Sequence, residues 1–64
     1  MLKPALVAML NHADSLIRAR EWHAAHRVLC AAHRIAEKDQ TIAPHRLAKI
    51  REARAVLVPY LSRH

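Results

Sequence analysis

The side chains of this 64-residue chain that could do chemistry are six His, one Cys and eleven Lys or Arg. His26 and His33 stand seven apart, which puts them on one side of a helix, and His23 lies one turn before His26. Neutral imidazoles on facing helices can bind zinc. The marks of a ligand set are missing here, since there is no paired Cys and no His-Glu-x-x-His. His26 and His33 instead flank an apolar stripe, where a ring titrating at about pH 6–7 can tune an interface. They read as pH-sensitive boundary residues, and neither a metal nor another cofactor is expected. Cys30 could be a nucleophile, with His26 one turn before it and His33 three residues after. Such catalysis also needs an orienting group and an oxyanion hole, usually inside a substantial pocket. A chain this short leaves little room for either, so no enzyme activity is expected and Cys30 reads as a small packing residue. One unpaired Cys fits a reducing cytoplasm, the expected location.

The cations are unevenly placed within a net charge of +6. Residues 1–20 carry +2, residues 21–40 are neutral and residues 41–64 carry +4. Phosphate contacts need Arg and Lys on one face. Arg46 and Lys49 share a side of the last segment, but Arg51 and Arg54 point elsewhere. Arg63 and, before this segment, Arg27, Arg34 and Lys38 complete the basic set. The Gly-bearing turn common in helix-turn-helix proteins is absent, and two aromatics offer little base-stacking surface. Nucleic-acid binding through the third-segment basic face therefore ranks second, behind a basic surface that steers an acidic protein. A membrane role ranks lower still. No run reaches the ~18–20 apolar residues of a span, Leu2–Leu10 is too short and Pro-interrupted for a convincing signal peptide, and the first segment lacks the Lys/Arg density of interfacial helices.

The elements that must position these groups are helices. Zero Gly with abundant Ala, Leu and Arg is a helical composition. Pro4 suits a first helical turn, and Leu6, Met9, Leu10, Ala13, Leu16 and Ile17 then recur at three- and four-residue spacing. A second stripe of Trp22, Ala25, Val28, Leu29, Ala32, Ile35 and Ala36 is out of phase with the first. That slip predicts a tight turn near Ala19–Glu21, with one long bent helix as the alternative because neither Gly nor Pro marks the site. Thr41 is the expected N-cap of a third helix, with Pro44 in its first turn. Leu47, Ile50, Leu57, Val58 and Leu61 form its stripe, and Pro59 predicts a kink or an end near Val58. The expected fold is a single all-α domain over 1–64, with a hairpin of helices at about 4–20 and 22–39 and a third at about 43–61.

Met9 to Asp39 resembles a single tetratricopeptide repeat, a helix-turn-helix unit with small residues where its helices cross. Ala13 and Leu16 fall at the small and large positions of the first helix. Trp22 opens the second, where Ala25, Leu29 and Ala32 follow a small–large–small order. Arg20–Glu21 departs from the family's usual Gly-containing turn, His12 sits where an apolar residue is common, and Glu37 stands where Pro often ends the repeat. The resemblance implies protein binding, with the third helix as a cap. A single repeat cannot build the multi-repeat groove, so the resemblance also implies association with a partner or with a second copy.

Composition points the same way. A core of this size supplies about 3–5 kcal/mol at most, and a lone Cys cannot staple it. The expected function is a small non-catalytic interaction module (adaptor, chaperone-like subunit or inhibitor) that docks on a larger protein or self-associates, a dimer being the expected oligomer. Trp22, Leu29, Leu57 and Leu61 are the expected apolar anchors. Arg51 and Arg54 are expected to pair with acidic groups of the partner.

Overall fold

The structure, a computed structural model, describes residues 3–62. It is all-α, with α1 over Pro4–Arg18, α2 over Trp22–Lys38 and α3 over Pro44–Leu61. Arg63, one of the basic residues named above, lies outside the described part.

α1 and α2 form the hairpin that the phase slip predicts. The turn between them explains how a chain without Gly manages it. Arg20 takes a left-handed backbone, with φ of 61°. Its N–H donates to the Ile17 carbonyl at 3.0 Å, and the Glu21 N–H reaches back to the Leu16 carbonyl at 2.8 Å. This pair of bonds is a Schellman cap, a position that Gly usually fills because it has no Cβ to clash. Holding Arg there costs about 1–2 kcal/mol of local strain.

Both stripes of the hairpin turn inward. Leu6 and Ala13 of α1 are buried, as are Ala25, Leu29, Ala32 and Ala36 of α2. Alanine at these positions lets the helix backbones approach closely while the leucines fill the space beside them. Ile35 is the exception, since it faces outward from the last turns of α2 and is exposed.

α3 keeps close to the expected span of about 43–61 but differs from expectation in its cap and in its course through Pro59. Its N-cap is Ala43, without a side-chain cap, and Pro44 is the first helical residue. Thr41 is not the cap: its N–H and hydroxyl both donate to Asp39 Oδ1, at 2.9 and 2.6 Å, closing an Asx turn in the link. At the other end the helix runs through Pro59 to Leu61. Pro59 lies in the last turn, so it forfeits one hydrogen bond, to the carbonyl of Ala55, an exposed residue. Val58, expected on the inner stripe, is 54% exposed.

α3 packs on α2, as α1 does, but the backbones of α1 and α3 do not meet. Two small cores result. One joins Leu6, Ala32, Ala36 and Ile50, and the other joins Ala13, Ala25, Leu29 and Leu57. The molecule is elongated, 38 × 18 × 14 Å, with a trough between the outer helices.

Candidate functional site

The trough follows from helix geometry. On α3, His45, Arg46, Lys49, Ala53, Val56 and Tyr60 recur at three- and four-residue spacing, so they share one side. That side faces α1 across the gap. Leu10, Ala13, Asp14 and Ile17 of α1 form the opposite wall, with Leu29 of α2 and Ile50 of α3 as floor. This half encloses about 480 Å³. A second half of about 450 Å³ continues past Trp22, Glu52, Val56, Leu57 and Tyr60. Ile17, Lys49 and Ala53 line both halves, so the two make one groove.

The groove is lined mainly by apolar side chains. Its far end is closed by Trp22 and Tyr60, whose rings stack with centroids 4.5 Å apart and planes at 28°. Beside them Val56 is 59% exposed and Tyr60 40%. Charge lies on the rims. Arg46 and Lys49 stand on the α3 wall with Glu52, and Asp14 on the α1 wall is paired with Arg18 at 3.2 Å.

Of the expected anchors, Trp22, Leu29 and Leu57 come together in this groove. Leu29 and Leu57 are 3% and 2% exposed, which makes them its floor rather than projecting knobs. Leu61 is half-buried near the end of α3 and does not line either half. Ile17, Ala53, Val56 and Tyr60 belong to the groove but were not among the expected anchors. Their signal was present as the register Lys49, Ala53, Val56, Tyr60, mixed with charge and therefore weaker than the Leu/Ile stripe beside it.

Arg51, Arg54, His26 and His33 meet elsewhere. Each residue advances a helix by about 100°, so Arg51, Arg54 and Val58 lie on the side of α3 turned away from the groove. There they line a separate pocket of about 400 Å³ with His26 and His33 of α2. Arg54 Nη1 lies 2.8 Å and a Glu37 carboxylate oxygen 2.9 Å from His33 Nδ1, which accepts from the guanidinium when bare and donates to the carboxylate when protonated. Cys30 Sγ is 3.7 Å from the nearer ring nitrogen of His26, a weak contact one turn apart. Among the described residues no three His, Cys, Asp or Glu side chains assemble a metal site. No described helix is long and apolar enough to cross a membrane. Comparisons with family models, with curated proteins and with solved structures found no match, so geometry and chemistry carry the functional argument.

Proposed function

We propose that this chain is a protein-interaction module whose α1–α3 groove receives an amphipathic helix of an acidic partner protein. The observation that carries this reading is an apolar groove left open by two helices that pack on a third and whose backbones do not meet. Helix-in-groove recognition uses apolar anchors at three- and four-residue spacing on the ligand, set into a trough of this kind. The Trp22–Tyr60 stack supplies a rigid aromatic end, a residue type enriched where binding energy concentrates.

Charge selects the occupant. Arg46 and Lys49 on the α3 rim, within a chain of net charge +6, favour carboxylates beside the apolar anchors of the ligand. A second copy brings the same excess positive charge and scattered acidic residues, so a different, acidic protein is the better complement. Arg51 and Arg54 stand too far round α3 to serve this groove. An adaptor, chaperone-like or inhibitory role is compatible with this mode, and the tetratricopeptide-like order of Ala13, Trp22, Ala25, Leu29 and Ala32 supports protein binding. The lone Cys30 suits a reducing cytoplasm.

A photo-crosslinking side chain placed at Val56, with Arg34 as the control position, tests this reading in cells. The expected product forms from Val56 alone, maps to an amphipathic segment with Asp or Glu beside its apolar residues, and weakens in Arg46→Glu with Lys49→Glu. Equal products from both positions, products with a second copy alone, or crosslinks to nucleic acid that high salt abolishes would each overturn it.

A further inference from the structure

The side of α3 turned away from the groove meets α2 through polar groups, and one ring nitrogen carries the contact. His33 is only 12% exposed, and its Nε2 is shielded from solvent with no hydrogen-bond partner among the described residues. Nδ1 is therefore the atom through which the ring bonds. Two groups compete for it: Arg54 Nη1 of α3 at 2.8 Å, and a Glu37 carboxylate oxygen one turn along α2 at 2.9 Å. A guanidinium only donates hydrogen bonds and an ionised carboxylate only accepts them. Nδ1 presents either a lone pair or a proton, so it satisfies one of these neighbours at a time.

The charge of the ring decides which. A neutral ring with its proton on Nε2 accepts from Arg54 at Nδ1 and leaves Glu37 to water, which reaches that side chain because it is 55% exposed. The other neutral tautomer donates from Nδ1 to Glu37 and sets one N–H against another at 2.8 Å. Arg54 has less recourse to water, being half-buried with its Nε already shielded and unpartnered among the described residues. The first tautomer is thus the favoured neutral form. A protonated ring carries a hydrogen on both nitrogens, so Nδ1 donates to Glu37 and Arg54 is displaced. The new charge also stands in one pocket with Arg51 and Arg54 of α3, against Glu37 as the one carboxylate beside the ring among the described residues. His26 of α2 lines the same pocket, with the Cys30 thiol 3.7 Å from its ring, and α1 contributes none of its described residues.

We propose that His33 is a proton-operated latch between α2 and α3. Neutral, it holds Arg54 and closes the seam; protonated, it turns to Glu37 and lets Arg54 go. The His33–Glu37 pair lies within α2, so it forms whether or not α3 is docked and does not offset the loss across the seam. The hold on α3 is complete while the ring is neutral and weakens as pH falls through the range in which histidines take up protons, about pH 5–8. Ile50 and Leu57 stay buried throughout, so the effect is more frequent local opening of α3 and not its loss. The other side of this helix walls the groove through Lys49, Val56 and Tyr60, but the latch does not depend on what that groove binds.

The test is NMR of the nitrogen-labelled full chain between about pH 8 and pH 5, reading the protonation of the His33 ring and the hydrogen-exchange protection of α3 amides. At the upper end the ring should carry its proton on Nε2. A proton on Nδ1 there would overturn the proposal, and this reading needs no substitution. As the ring protonates, protection of the amides around Arg54, corrected for the intrinsic pH dependence of exchange, should fall about tenfold or more, the weight of one charge-assisted hydrogen bond. In the unaltered chain that fall should track the titration of the His33 ring, and a fall centred on another pH would refute the latch. His33→Gln, uncharged at every pH, should remove the dependence, whereas His26→Gln in the same pocket should keep it. Glu37→Gln should move the fall to lower pH, because the ring proton then has no carboxylate to receive it. A fall that survives His33→Gln, or that disappears with His26→Gln, would also overturn the assignment.

Discussion

α2 is held on one flank by α1 and on the other by α3, and the two seams are built from different materials. The α1 seam is made of small and large apolar residues in register, Ala13 with Ala25 and Leu29, and Leu6 with Ala32 and Ala36. Both helices spend most of their stripes on it, and one large apolar residue on each, Val7 and Ile35, is left exposed. The α3 seam uses Ile50 and Leu57 for burial, then adds a ring stack and an Arg54–His33 hydrogen bond. α3 keeps Val56, Val58 and Tyr60 substantially exposed. A helix whose apolar residues exceed what its own fold covers has surface available for another molecule. Under the proposed function the hairpin is the structural half of the molecule and α3 the half that would meet a partner.

The most forceful way to break this comparison is to cut the same side chain out of each seam. Leu29→Ala removes a buried leucine from the core shared by the hairpin and the groove floor, at a cost of about 2–5 kcal/mol. That is comparable to the whole stability of a core this size, about 3–5 kcal/mol. The helical signal in far-UV circular dichroism should collapse at room temperature. Leu57→Ala makes the same chemical change on α3, and its main effect should be release of that helix. Hydrogen exchange should then show α3 amides losing protection while α1 amides keep theirs. Equal loss in both helices would mean that the two seams form one cooperative unit.

A smaller cut sharpens the α3 seam further. Tyr60→Ala removes the ring stacked on Trp22, a pair that contributes about 0.5–1.5 kcal/mol beyond area burial. Trp22 is the only tryptophan, so its fluorescence reports the loss directly. A shift to longer wavelength with a modest fall in melting temperature is expected. An unchanged emission maximum would show that Tyr60 does not shield Trp22.

The hairpin seam has a test of opposite sign. Arg20 holds a left-handed backbone that Gly adopts without steric cost. Arg20→Gly should therefore stabilise the protein by about 0.5–1 kcal/mol, the relief of strain being partly offset by a more flexible unfolded chain. Destabilisation on thermal melting would contradict the left-handed cap.

That turn also marks what the sequence could and could not disclose. The change of phase between the Leu6–Ile17 and Trp22–Ala36 stripes was legible, because periodicity reports burial and burial needs only side-chain types. The conformation at Arg20 was not, since a strained non-Gly residue leaves no compositional sign. The start of α3 was legible from Pro44, but its cap was not, because Thr41 had two uses and the Asp39 carboxylate captured it. Pro59 suggested a kink or an end near Val58, and its place in the last turn let the helix run on to Leu61. The groove was hidden for a related reason. Its α3 wall alternates Lys49 and Glu52 with Ala53, Val56 and Tyr60, and a mixed wall gives no clean stripe. Trp22, Leu29 and Leu57 were identifiable as important, but their role as floor depends on α1 and α3 standing apart, which no local pattern encodes.

Asp39 offers the smallest effect and the finest control on how α3 is tethered. The hydrogen bonds from the Thr41 hydroxyl and backbone N–H, chiefly the first, hold its carboxyl below the ordinary value of 3.8, helped by the Lys3 ammonium 3.6 Å away. A carboxyl that titrates lower when folded than when unfolded is one whose anion the fold prefers. Its contribution to stability is then complete above the unfolded value and declines as pH falls through the folded one. Stability should depend on Asp39 at neutral pH and lose that dependence in acid, below the ordinary carboxylate range. Asp39→Asn should lower the melting temperature slightly at neutral pH and hardly at all in acid, because the wild-type carboxyl is by then neutral as well. If the difference between the two proteins kept its size across that range, the link between α2 and α3 would owe its order to shape rather than to the charge on Asp39. A difference that vanishes in acid places the tether in the Thr41 hydrogen bonds and the Lys3 pair. Lys3 then ties the start of α1 to Asp39, the residue that caps α2 and opens the link to α3.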